Sequence, residues 1–303
     1  MIDALTTLLS SPMMQRSLLA ALIVGLTAPI IGTYLVHRRL AMLGDGIGHI
    51  SLTGVALGWL VGAFANVSPA DSWAIPGAVI ISLLGAITIE LVRQSGRTSG
   101  DTALAMLFYG GIAGGVLLIG LAGGTSAQLN SYLFGSISTV RWSDITLITI
   151  LGIAIVALGI GLAPALFSVT NDEDFARSTG LPVRTLSLLI AVLSALTVAV
   201  AMRVVGSLLV SALMVIPVAI AQLGARSFRS TMGIAMALGV VICMSGLSLT
   251  YFIDLSPGAT IVVGAIALYA IGFGIRAIVD RIRRVRRLRV ARSHNQHPER
   301  ELL

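Results

Sequence analysis

The sequence predicts an all-α, polytopic integral membrane protein with eight or nine transmembrane helices. Three observations predict it. Apolar residues fill 56% of the 303 positions and charged ones only 11%, with a mean hydropathy of +0.97, far from the balance of a water-soluble domain. The apolar residues gather into runs of roughly 20, the length at which a helix crosses a hydrocarbon core. The arginines fall almost entirely in the short breaks between runs and in the last segment.

The first run, 13–36, contains Pro29, which loosens or kinks it. Met1–Pro12 carries Asp3 rather than a basic start, and no small-residue cleavage site follows the run, so the run is expected to stay as a first span. His37, Arg38 and Arg39 close it. The second run is 43–64. A polar loop, Asn66–Trp73, leads to the third at 74–92, followed by Arg93 and Arg97. The fourth is 101–122, and a Gly/Ser/Thr/Asn-rich stretch, Gly123–Ser138, separates it from the fifth at 144–167. The acidic cluster Asn171–Asp174 opens a segment that ends Gly180-Leu181-Pro182. An Asn/Asp start and a Gly/Pro stop predict a short surface helix there, either a plain connector or a docking element. The sixth and seventh runs, 185–202 and 206–223, are divided only by Arg203 and Gly206. They form two spans, or one span and a re-entrant segment, hence nine or eight. Arg226 and Arg229 precede the eighth at 231–252, and Asp254–Gly258 turns the chain into a ninth at 258–275. Residues 1–275 are thus expected to form the transmembrane domain and 276–303 an arginine-rich tail.

With nine crossings, Arg38/Arg39, Arg93/Arg97, Arg177/Arg184, Arg226/Arg229 and the tail share one side, against Arg16, Arg141 and Arg203 on the other. The positive-inside rule then puts the C-terminus in the cytoplasm and the N-terminus outside. The tail reads as a stop-transfer anchor touching anionic lipid, each Arg near the surface contributing about 1 kcal/mol. The net charge of +7 is no nucleic-acid signal, because its arginines are dispersed over loops and tail. The chain has no lysine. A Walker A loop needs one on the phosphates, so this chain carries no P-loop ATPase of its own. Its single cysteine, Cys243, excludes an internal disulfide and a Cys-cluster metal site and reads as a small buried hydrophobe.

The chemistry concentrates in Leu43–Gly62, LGDGIGHISLTGVALGWLVG. Asp45 and His49, four apart, share one helix face. Gly54, Gly58 and Gly62 form a small-xxx-small ridge on another, suited to close helix packing. Gly110/Gly114 and Gly111/Gly115 make two more such pairs, and Pro217 interrupts the seventh run. Ionisable groups inside a span cost about 2.5–3.5 kcal/mol at its centre. Glu90 and Asp101 lie near span ends beside Arg93 and Arg97 and read as interfacial ion pairs or caps; Arg203 at a turn is expected to snorkel. Residue types alone leave the remaining pair open. Asp45 and His49 are a half-site for a divalent transition metal, or a helix cap and a packing histidine.

Several blocks resemble one known family. They are Leu40–Trp59 (LAMLGDGIGHISLTGVALGW), Ser131–Ile145 (SYLFGSISTVRWSDI), Asp174–Leu223 and Ser245–Val262 (SGLSLTYFIDLSPGATIV). In this order they resemble the zinc/manganese(/iron) permeases of bacterial ABC importers, over nearly the whole chain up to the tail. The resemblance implies the fold of the cobalamin- and siderophore-type importer permeases in the bacterial cytoplasmic membrane. It implies a homodimer with a pathway between the copies, a cytoplasmic ATPase subunit that uses the ATP, and an extracytoplasmic metal-binding protein. It implies no cofactor bound by this chain, zinc or manganese as cargo, and no catalysis by the chain itself. Asp45 and His49 correspond to the family's GD-x-x-x-H motif as pathway metal ligands. Asp174, Phe175, Ala176 and Gly180 correspond to its ATPase-coupling helix. Gly46 and Gly48 stand where the family often has Ala and Ser, which makes that turn more flexible. Two readings from other classes remain: a secondary carrier working without an ATPase, and an intramembrane enzyme, for which only Asp45 among the aspartates is well placed and no serine stands out.

Overall fold

Proline, glycine and the charged breaks decide where each helix begins and ends. The computed structural model describes residues 10–65, 70–96, 99–123, 125–136, 140–253 and 255–295. Helix α1 is Pro12–His37, with proline in its first turn, where a missing N–H costs nothing, and with Pro29 inside it. Arg39, in the left-handed region at φ 59°, turns the chain. Helix α2, Ala41–Phe64, follows, with Leu40 at its N-cap. It starts two residues earlier than the apolar run suggests, so Asp45 lies one turn inside the helix. The capping reading of Asp45 fails on that ground.

A single 3-10 turn, Ala70–Trp73, leads into α3, Ala74–Ser95. Gly96 stops α3 with a positive φ of 66°. Helix α4, Gly100–Leu121, is capped by Ser99, whose hydroxyl accepts from the Thr102 amide. The polar stretch after it contains a short helix, α5, Ser126–Phe134. The predicted fifth span is two helices, α6 (Trp142–Gly161) and α7 (Ala163–Asn171). Pro164 causes the break, since its ring cannot continue a helix arriving from Gly161. Then come α8 (Glu173–Ser178), α9 (Val183–Val205), α10 (Val210–Gln222), α11 (Phe228–Phe252) and α12 (Pro257–Asn295).

Among the described residues eight helices are long and apolar enough to cross a membrane: α1, α2, α3, α4, α6, α9, α11 and α12. The predicted seventh span is α10, 13 residues long, or about 20 Å at 1.5 Å per residue. That is shorter than a hydrocarbon core. The chain breaks at Gly206, φ 87°, and α10 starts inside the bundle. The break stays hydrogen-bonded, as backbone at membrane depth must be. The amides of Ser207 and Leu208 donate to the carbonyls of Tyr132 and Leu133 at the end of α5, at 2.9 and 3.2 Å. A side chain on Gly206 would strike that same α5 backbone.

Helices α1, α2 and α9 are the innermost long helices, and α4 and α12 the outermost. Helix α2 is sandwiched by α3 and α4. The glycine ridge is its seam: Gly54 and Gly58 press on the backbone of Gly77 and Trp73. On the other side Gly111 lies against the backbone of His49 and Ile50. Cys243 is buried and free. Helix α12 runs on to Asn295 without interruption, 39 residues in all. Most of Met1–Pro12, part of the 66–73 loop, Arg97, Asp254 and the last eight tail residues lie outside the described residues, as do the side chains of Asp101 and Arg203.

Candidate metal-ion site and docking helix

Asp45 and His49 sit four and eight residues into α2, about 6 and 12 Å along it at 1.5 Å per residue. His49 Nε2 is 3.9 Å from Asp45 Oδ1, too far for a hydrogen bond. Two ligands on one ion, each about 2.0–2.2 Å from it, stand about 3–3.5 Å apart, so a small rotamer change brings this pair into range. The His49 side chain is 4% exposed and that of Asp45 26%. His49 Nδ1 is buried and has no hydrogen-bond partner among the described residues. The ring is held edge-on by Phe108 of α4, centroids 4.1 Å apart. Asp45 is held from the other side: Ser211 Oγ, in the first turn of α10, donates to Asp45 Oδ1 at 3.0 Å.

The backbone around the pair is crowded for a reason. A Cβ on Gly48 would lie 2.7 Å from the Ser207 carbonyl oxygen, and one on Gly111 2.6 Å from the His49 carbonyl carbon. Glycine at both places lets the broken segment and α4 close on the turn that carries His49. The helix is continuous through Gly46 and Gly48. Asp45 opens into a cleft of about 430 Å³ lined by Met42, Gly46, Leu104, Ala105, Phe108 and Tyr109. Tyr109, Met106 and Leu117 on the outer face of α4 are each more than 60% exposed. No group of three or more His, Cys, Asp or Glu side chains gathers anywhere among the described residues. Among the described residues, Asp45 and His49 are thus a pair at this cleft and not part of a larger cluster.

The second predicted element, α8, lies at the arginine-rich end. Asp172 caps it, accepting from the amides of Asp174 and Phe175, and Gly180 with φ 81° ends the turn before Pro182. Asp174 and Phe175 are exposed, at 93% and 60%. Ala176 is fully buried, so it seats the helix rather than facing outward. Glu173 also points inward. Its carboxylate accepts from Arg38 Nη2, and from Arg93 Nη2 at 3.4 Å. Burial alone raises the Glu173 pKa, but the hydrogen bond and charge of Arg38, then those of Arg93, outweigh it and hold the carboxyl below the usual glutamate range. Glu90 takes two hydrogen bonds from Arg93, at 2.9 and 3.0 Å, bearing out the ion pair expected of it.

The sequence offered no sign of Ser211 or Phe108 as neighbours of the pair, because both come from distant helices. Gly206 was a visible signal for a break, though not for what the break touches.

Residues 10–276 match the family described as the ABC 3 transport family. The chain belongs to the ABC 3 transport family. It is 32% identical over 266 residues to the manganese transport system membrane protein MntC of Halalkalibacterium halodurans, covering 88% of each chain. It is 29% identical over 255 residues to the high-affinity zinc uptake system membrane protein ZnuB of Haemophilus influenzae, covering 84% of this chain and 94% of that one. Among solved structures it resembles PsaBC from Streptococcus pneumoniae in complex with Fab, with TM-score 0.79 and 30% identity, covering 90% of this chain and 95% of that one. The all-helical fold expected from the resemblance is borne out, and the chain is a multi-pass membrane permease of this family.

Proposed function

We propose that this chain is the membrane permease subunit of an ATP-driven importer of divalent transition metal ions, zinc or manganese. The observation that carries the reading is the acid–histidine pair inside a transporter fold. His49 Nε2 stands 3.9 Å from Asp45 Oδ1, too far for a hydrogen bond, and Asp45 is a carboxylate facing a cleft in an otherwise apolar wall. A polar group left short of partners in such a place is costly, and a passing cation supplies what is missing. Carboxylate suits manganese and imidazole suits zinc, so a mixed site selects weakly and the capture protein does most of the selecting.

Two ligand groups per chain suit a homodimer in which each copy offers one Asp45 and one His49 to a shared pathway. The outer face of α4, which rims the cleft, is the natural contact face. An extracytoplasmic metal-binding protein delivers the ion. A cytoplasmic ATPase docks on α8 through Asp174 and Phe175, while Ala176 and Gly180 fix how the helix sits and ends. In this arrangement the arginine-rich end and the C-terminal tail face the cytoplasm of a bacterial cell. ATP binding moves α8, and the spans rock between outward and inward access.

The test is ATP-dependent uptake of radiolabelled Mn²⁺ and Zn²⁺ into liposomes holding the chain, its cognate ATPase and its capture protein. Uptake that requires all three and ATP is the expected result. Uptake by the chain alone, driven by an ion gradient, identifies a secondary carrier and sinks the reading.

A further inference from the structure

We propose that Glu173 is a positioning residue that clamps the docking helix to the cytoplasmic ends of α1 and α3. The helix that meets the ATPase and the helix that carries Asp45 then move as one unit. This rests on the reading of α8 as the ATPase-docking helix.

Helix α8 has only six residues, so it has few points of attachment. Its residues divide the work: Asp174 and Phe175 face outward, while Glu173 and Ala176 face the bundle. Ala176 gives apolar contact without direction. Glu173 gives direction, because it accepts from guanidinium groups on two different elements. Arg38, 4% exposed, caps the end of α1 and lies three residues before α2 begins. It also donates to Ser187 Oγ of α9 at 3.0 Å. Arg93 sits in the last turn of α3 and grips Glu90 as well as Glu173. Gln94 ties the same corner to α9, donating to Glu90 Oε1 at 2.9 Å and to the Arg184 carbonyl at 3.3 Å. Two arginines and two glutamates balance, and each has a charged partner.

A push on α8 therefore reaches Arg38 through a charge-assisted contact, and Arg38 is seven residues from Asp45. Planar guanidinium groups held by carboxylates resist shear better than a single apolar contact does. Without Glu173, α8 keeps its outward face and its Asp172 cap, so the ATPase still binds. Its motion then slips past α1 instead of carrying it.

The experiment uses the complete transporter in proteoliposomes and reads Mn²⁺ ions moved per ATP hydrolysed, beside capture of the ATPase on a permease affinity column. Glu173→Gln is expected to capture the ATPase like wild type while ions per ATP fall about five- to tenfold, at the low end of coupling between sites. Glu173→Asp is expected to recover most of the ratio. A ratio for Glu173→Gln within about twofold of wild type, below that same range, overturns the clamp. Phe175→Asp separates the two ideas. Loss of ATPase capture in Phe175→Asp keeps the docking helix, and retained capture refutes that reading alone.

Should Glu173→Gln fail to fold, the doubly substituted Arg38→Cys/Glu173→Cys transporter carries the test. It is treated with a bis-methanethiosulfonate bridge and then with reductant; Cys243 is buried and stays out of reach. Bridging is expected to raise ions per ATP, and reduction to lower it again in the same sample. A ratio that bridging leaves unchanged or lowers overturns the proposal.

Discussion

Two places in this protein take charge out of water, and they do so in opposite ways. At the arginine-rich end Arg38, Arg93, Glu90 and Glu173 form a closed set in which every charge has a partner. At the turn of α2 that carries Asp45 and His49, the partners among the described residues are incomplete: a gap of 3.9 Å between Nε2 and the carboxylate, one serine on the carboxylate and none on Nδ1. A saturated network holds elements in fixed register. An unsaturated one holds a place for something that comes and goes. In the proposed mechanism the open pair holds an ion that must be released, so weak internal satisfaction suits it, while the proposed clamp gains from having no loose ends.

The largest effect should come from the packing around the open region. Gly111→Leu drives a side chain into the His49 backbone, whereas Gly110 next to it has open space. Overpacking of this kind costs about 1–3 kcal/mol, occasionally more. The thermal midpoint of purified Gly111→Leu should fall clearly and uptake should vanish, while Gly110→Ala stays near wild type. Equal behaviour of the two variants would remove the argument that α4 shapes the site. Next is Arg38→Met. It takes away a charged hydrogen-bond donor from the closed set, at about 1–2 kcal/mol after allowing for the exposed side of Glu173. Melting of the detergent-solubilised protein measures it, and an unchanged midpoint would show that the network adds nothing to stability.

Ser211→Ala probes the open region more gently. It frees Asp45 from a 3.0 Å hydrogen bond, and the loss of about 1 kcal/mol is about a fivefold change. The account expects that change in the KM for metal, with protein yield and melting unaltered; a KM that does not move separates Ser211 from the site. The smallest effect is acid. The folded Glu173 carboxyl is held below its unfolded value. Its stabilisation is therefore complete above the ordinary glutamate pKa and is lost as pH falls through the lower folded one. With over a third of the side chain exposed, solvent screening limits this to less than about 1 kcal/mol. Melting midpoints of wild type and Glu173→Gln should converge as pH drops below the ordinary glutamate range. Curves that stay parallel contradict the shift.

The sequence made the spans readable because each apolar run is bounded by arginine, glycine or proline, and a helix across lipid cannot hide its length. It also made the closeness of Asp45 and His49 readable, because four residues on a helix put two side chains on one face, while residue types alone left open what the pair does. What the runs left unresolved has physical causes. Pro164 split a run that hydropathy alone makes continuous, because hydropathy is blind to a missing N–H. The 206–223 run is apolar along its length, and only the backbone at Gly206 shows that α10 starts inside the bundle. The partners of the two charged regions were out of reach for a different reason. Ser211 and Asp45, or Glu173 and Arg38, are more than 130 residues apart. Nothing local in either stretch encodes the other. Ala176 was assigned to the docking element by position in a motif, whereas its burial follows from which side of a six-residue helix faces α9.

The most direct measurement is uptake of radiolabelled Mn²⁺ and Zn²⁺ by the reconstituted transporter carrying Asp45→Ala or His49→Ala, with ATPase capture checked on the same preparations. The account predicts that both variants assemble like wild type and that each loses uptake by about 100-fold or more, the scale of removing a group used only in the working step. Wild-type uptake in either variant would contradict it, and would return Asp45 and His49 to the role of packing residues in a pathway that runs elsewhere.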